Sequence, residues 1–158
     1  MADDKNLRQH LVKLLKGADA HADFEHVIAD FPAEARGKKP GLAEHSPWQV
    51  LEHLRIAQWD ILDFSINPNY KPMEWPKEYW PESAAPPDPE AWDRSVEAFR
   101  EDLKAMSALV EDEKTDLFAK IPHGDGQTIL REALVVADHN AYHLGEMVLL
   151  RRLLGVWK

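Results

Sequence analysis

No helix or central strand can run through residues 67–88. Counted through Pro89, this stretch carries seven of the eleven prolines, and each proline removes a backbone donor and clashes with a preceding helical turn. It also carries Tyr70, Trp75, Tyr79 and Trp80. A polar linker has no need of four aromatic rings, and so long a connection without periodicity is uncommon in a compact domain. The segment is therefore expected to be an ordered loop docked on the fold, either as the lid of a cavity or as a clasp at one end.

The flanking sequence is helical in pattern. Ser46-Pro47-Trp48-Gln49 offers a serine cap, a proline at the first helical position and a glutamine that can close a capping box. A helix should follow to about Ile66, with Asn67-Pro68 ending it. Leu54, Ala57, Ile61 and Phe64 fall within about 40° of Val50, and His53 lies at the edge of that apolar stripe. Asp60, seven residues further on, shares its side. After the proline-rich segment, Asp88-Pro89 repeats the cap-then-proline start, and Trp92, Val96, Phe99, Leu103, Met106 and Val110 mark a third helix to about Glu111. The first helix is expected from Leu7 to Asp30, capped by Asn6, with Leu7, Leu11, Leu14, Leu15, Ala18, Ala22 and Ile28 as its stripe and Phe31-Pro32 as its end. His10, His21 and His26 read as exposed or rim residues. In a four-helix bundle, a long link between the second and third helices suits a crossover that leaves its neighbours parallel.

The last helix, about Ile129 to Leu154, contains the chemistry. One stripe runs Leu130, Leu134, Ala137, Ala141, Leu144, Val148, and nearly opposite it lie Val136, His139, His143, Met147 and Leu150, so one face should meet the core and the other a second subunit or the docked loop. Arg151 and Arg152 place positive charge at its C-terminus and Gly155 ends it. His139 and His143 are four residues apart, hence turned by only about 40° and separated by about 6 Å along the axis, which lets both meet one cation. A catalytic site typically holds its ion with three protein ligands at about 2.0–2.1 Å and leaves one position to water. Glu146 lies about 10.5 Å along the axis from His139, too far to join both histidines on one ion. It fits better behind the ligands or as a proton acceptor for a bound water. The third ligand must come from elsewhere. His53 on the second helix points inward or nearly so, either toward such a site or as a core-edge imidazole bonded to a backbone carbonyl. Asp60 could orient an imidazole or assist the water. His123, in the connection 112–127, reads as an exposed turn residue.

Composition narrows the chemistry. The chain has 158 residues, 44% hydrophobic and 30% charged, which fits one soluble domain spanning 1–158 with a core of its own. Its net charge of -9 and dispersed basic residues disfavour nucleic acid as a partner. Cysteine is absent, so a metal must be held by histidine and carboxylate. No apolar run approaches the roughly 18 residues of a membrane span, no membrane partner is expected, and the expected location is cytoplasmic.

The order of a first helix, HSPWQVLEHLRIAQWDIL at 45–62, a Pro/Trp-rich loop, and HGDGQTILREALVVADHNAYHLGEMVLLRRLLG at 123–155 resembles the DinB superfamily over essentially the whole chain. The resemblance implies an all-α, up-down-down-up four-helix bundle, commonly dimeric, with a three-histidine metal site at His53, His139 and His143. It also implies a small-molecule substrate, since relatives of known activity include transferases and an isomerase that use low-molecular-weight thiols.

Two function classes follow. As a metal-dependent enzyme of transferase or hydrolase type, the site would activate a water or a thiol, with Glu146 or Asp60 as the proton acceptor. As a non-catalytic metal-binding or stress-response protein, the ion would only tie the second helix to the fourth. Imidazole suits zinc, nickel, iron and copper, of which zinc or nickel is the expected ion.

Overall fold

The computed structural model of the protein describes residues 2–17 and 19–157. Among them are five α-helices: α1 (Ala2–Lys16), α2 (Phe24–Ile28), α3 (Pro47–Ile66), α4 (Ala91–Glu111) and α5 (Ile129–Leu153), with a 3-10 turn at Ala33–Ala35. No strand occurs among the described residues, only an isolated bridge between Lys120 and Thr128. The fold is all-α. No described helix is long and apolar enough to cross a membrane.

The start of the chain departs from the expectation of one helix over 7–30. α1 begins at Ala2, so Asn6 lies inside it rather than capping it; Asp4 sits in the first turn and accepts from Arg8 Nε at 2.8 Å, which supports a helix reaching further back. α1 then stops at Gly17, whose φ of 71° is the left-handed conformation of a helix C-terminus. Asp23 opens α2 by accepting from His26 N at 2.8 Å. Ala18, assigned above to the apolar stripe, lies outside the described residues. Of the rest of that stripe Leu11, Leu15 and Ile28 are buried, while Leu14 is exposed. α4 begins two residues later than its proline suggests, at Ala91, because Asp88 bonds Glu90 N and the Arg94 guanidinium in a turn before the helix.

α3 starts as its sequence predicts. Ser46 Oγ accepts from Gln49 N and Gln49 Oε1 accepts from Ser46 N, both at 3.2 Å. The same two side chains also reach the proline-rich loop: Gln49 Nε2 donates to Pro81 O at 3.0 Å and Ser46 Oγ donates to Ala84 O. Gly37 lets a neighbouring turn approach that loop, since a Cβ there would stand 2.7 Å from Ala85 Cβ.

Two apolar clusters form the interior. In one, Trp48, Val50, Leu51 and Leu54 of α3 meet Trp92, Val96 and Phe99 of α4, Leu144, Met147 and Leu150 of α5, and Phe24, Val27 and Ile28 of α2. In the other, Leu11, Val12 and Leu15 of α1 meet Leu62 of α3, Met106 and Val110 of α4, and Ile129, Ala133, Val136 and Ala137 of α5. Between them runs a buried polar layer. Gln58 lies between Leu54 and Leu62, and Asn140 and His143 lie between Ala137 and Leu144. Gln58 Nε2 donates to Phe99 O at 2.7 Å, and Asn140 Nδ2 donates to Gln58 Oε1 at 2.8 Å, so the helices are joined there by directed bonds.

Buried arginines close the bundle ends. Arg8 donates to the carbonyls of Val110, in the last turn of α4, and of Asp112 and Thr115, in the turn that follows it. Arg151 donates to Val27 O, Ala29 O and Val156 O, so its role is to hold α2 and the C-terminal turn, beyond the helix-end charge read from the sequence.

The buried side of α5 draws on both stripes named above. Ala137 and Leu144 come from one, and Val136, His143, Met147 and Leu150 from the other; the two stripes flank one buried arc and are not opposed. The exposed apolar residues are Leu134, from the outer edge of the first stripe, with Tyr142, Leu149 and Leu153, which belong to neither.

Candidate metal centre

His53, His139 and His143 meet where the polar layer reaches the loop. Each offers one ring nitrogen, and the three atoms lie within 4.8 Å of one another. His53 Nε2 is 3.0 Å from His139 Nε2, and the ring centroids are 4.9, 4.6 and 4.6 Å apart. Three donors around one ion at about 2.1 Å stand at most about 4.2 Å apart, so small ring rotations suffice to gather them.

The outer faces of the rings decide which nitrogens are free. His53 Nδ1 lies 3.0 Å from Tyr79 O, and a carbonyl only accepts, so Nδ1 carries the proton and Nε2 keeps its lone pair. His143 Nδ1 donates to Glu146 Oε2 at 2.8 Å, which likewise leaves Nε2 free. Burial, reinforced by the neighbouring His143, pushes the His53 pKa down to about 4 against the opposing Tyr79 carbonyl. Burial, followed by the charges of His143 and His53, pushes His139 to about 4 as well. The hydrogen bond from His143 holds the Glu146 carboxyl below its usual range, against the effect of burial. His53 and His139, held neutral by burial, and His143 beside them form an all-nitrogen donor set of the kind a borderline divalent ion takes. The residues therefore fit such an ion, and all three could hold it.

A family model described as the DinB superfamily matches residues 18–147. The chain belongs to the DinB superfamily. The matched span contains all three histidines and Glu146. Searches of the curated proteins and of the solved structures return no match.

In this DinB chain the proline-rich segment lies directly on the histidines. The Trp80 ring stacks on His53 with centroids 3.8 Å apart and planes 7° from parallel, and Trp75 stands 6.2 Å from the same ring. The polypeptide carrying them is held by Asp60, which is buried and accepts from Tyr70 OH at 2.9 Å and from Tyr79 OH at 2.6 Å. Burial, aided by that carboxylate, raises the Tyr70 hydroxyl pKa to about 12 and lifts Tyr79 in the same direction. Asp60 gives its hydrogen bonds to the loop tyrosines rather than to an imidazole, while Glu146 bonds His143 Nδ1.

One neighbour went unread in the sequence. His45 stacks on the other face of Trp80, centroids 3.8 Å apart and 11° from parallel, and its Nδ1 is 3.8 Å from Glu146 Oε1. Its signal was its place immediately before the Ser46 cap, which fixes the backbone at that point. The partner ring, on a loop without register, could not be read. His10, His21, His26 and His123 are exposed; His123 Nε2 donates to Phe64 O at 2.8 Å, which ties the 112–127 connection to the end of α3.

Proposed function

We propose that this DinB protein is a metal-dependent enzyme of transferase or hydrolase type, in which His53, His139 and His143 hold one divalent ion, zinc or nickel, through Nε2. The observation that carries the reading is the convergence of three imidazoles from two helices, two of them fixed from behind by Tyr79 O and Glu146. A divalent ion held in this way, with a coordination position open, lowers the pKa of a water or thiol bound there. Glu146 orients the His143 ring, Tyr79 orients His53, and Trp80 shields the cluster from bulk water. Trp75, more exposed, forms the approach for a small substrate, and a low-molecular-weight thiol is the co-substrate class in keeping with the family.

The alternative is an ion that only ties α3 to α5. In its favour, Trp80 lies directly over His53, and His53 and His143 are 2% and 8% exposed. The test is a thiol-dependence screen of the zinc-loaded and nickel-loaded protein with electrophilic substrates, run beside His53→Ala. Metal-dependent turnover that His53→Ala abolishes supports the enzyme. Stoichiometric metal that raises thermal stability, with no turnover and no exchangeable water in the coordination shell, supports the structural ion.

The reading extends to the assembly. One domain of up-down-down-up order pairs with a second copy through the exposed face of α5, and the protein works in the cytoplasm.

A further inference from the structure

A cavity of about 170 Å³ lies between α1, the start of α2, α4 and α5, and none of the three histidines lines it. It sits where the two apolar clusters part. Leu15 and Ala137 come to its wall from one cluster, Phe24, Phe99 and Leu144 from the other, and all five are buried. Phe24 and Phe99 stack with ring centroids 3.9 Å apart, which makes their side of the wall aromatic. Leu14, 53% exposed, gives the mouth an apolar lip that the core leaves unused.

One buried polar side chain lines the same space: Asn140, 4% exposed. A chain of bonds fixes which way its amide points. Phe99 O can only accept, so Gln58 presents Nε2 to it at 2.7 Å and turns Oε1 toward Asn140. Asn140 therefore gives Nδ2 to Gln58, at 2.8 Å, on α3, a helix that contributes nothing to the lining. Oδ1 is the polar atom left for the cavity, and it is buried without a hydrogen bond.

A buried acceptor of settled orientation calls for a donor. Water fills that need poorly, because a buried water generally makes about three hydrogen bonds and the other buried side chains of the lining are apolar. A molecule with one O–H and an apolar body satisfies the acceptor and fills the remainder. The volume sets its size, since an apolar cavity of about 150 Å³ takes up benzene.

We propose that this cavity binds a small hydroxylated aromatic ring of phenol size, its hydroxyl donating to Asn140 Oδ1 and its ring lying against Phe24 and Phe99. The site stands apart from the metal centre and from the reaction proposed there. Contact with two aromatic rings favours an aromatic body over an aliphatic one of equal volume. No charged side chain is buried in the lining, so the ligand is neutral.

The experiment titrates phenol and toluene, molecules of nearly equal size, into the full tag-free chain in chelator, so that no ion competes for the phenol oxygen. The methyl resonances of Leu15 and Leu144 report occupancy, and the side-chain carbonyl carbon of Asn140 reports the hydrogen bond. Phenol should move all of them saturably, and toluene should leave the carbonyl carbon in place. Asn140→Leu, similar in size but without an acceptor, should weaken phenol about 10-fold and hold toluene as tightly or more so. Ala141→Leu, which fills the cavity from its wall, should abolish both. Absence of saturable phenol binding overturns the proposal and leaves the space to water. Binding that survives Ala141→Leu overturns it too, as does an Asn140→Leu that weakens phenol no more than toluene. Should Asn140→Leu fail to fold, the wild-type carbonyl resonance decides alone: a shift with phenol and none with toluene supports the site, and the same response to both overturns it.

Discussion

His53 and His139 are bases that the fold holds in the neutral form. Both have pKa values of about 4 where 6.5 is ordinary, with burial as the first cause. In the unfolded chain they take up protons as pH falls below about 6.5, while in the fold they resist until about 4. The unfolded state therefore binds more protons across that window, and stability falls as pH drops through it. Metal-free protein in chelator should melt at a lower temperature at pH 5 than at pH 7.5; an unchanged or higher melting temperature at pH 5 would contradict the assignment. The sequence showed these residues through spacing, stripe position and the motifs shared with the DinB superfamily. It did not show His45 or the Tyr79 carbonyl, because partners supplied by a loop have no periodicity from which to be read.

At the scale of elements, α3 serves as the ruler on which the loop is laid. Ser46, Gln49, His53 and Asp60 bond in turn to Ala84, Pro81, Tyr79 and the two tyrosine hydroxyls. The proline content of residues 67–88 and their aromatics announced an ordered, docked loop, and two of the four rings, Trp80 and Trp75, do stand against His53. Trp80→Ala removes a ring stacked on both His45 and His53 and should cost roughly 2 kcal/mol in urea unfolding, since each aromatic pair contributes about 0.5–1.5 kcal/mol beyond burial, with metal stoichiometry kept. Trp75, 67% exposed, should cost far less on replacement by alanine and instead change the ranking of electrophiles in the screen; an unchanged ranking would leave the loop as a clasp only. The same scale explains the misread start of the chain. The apolar positions of 7–30 share a helical stripe, but a single glycine in the left-handed conformation outweighs periodicity. Gly17→Ala meets only ordinary contact, His21 Cε1 at 3.5 Å, so its cost is backbone strain of about 1–2 kcal/mol, readable in a denaturant titration; a neutral substitution would mean that the helix end is not fixed there.

At the scale of the whole molecule, the apolar clusters hold the four long helices and the short α2 around a polar layer, and the layer opens onto the loop at the three histidines. The exposed residues of α5, Leu134, Tyr142, Leu149 and Leu153, span about 100° of its circumference, a width suited to a helix packed against its two-fold mate. Sedimentation at tens of micromolar should give a dimer that Leu149→Glu dissociates, and a wild-type monomer would contradict that pairing. The central claim is that His53, His139 and His143 together hold one ion. It is tested most directly by metal analysis and zinc titration of tag-free protein, wild type beside His53→Ala, His139→Ala and His143→Ala. One ion per wild-type chain and no stoichiometric ion in any of the three variants is the predicted result; a wild-type chain that takes up no ion, or a full ion retained when any one of these histidines is replaced, would contradict it.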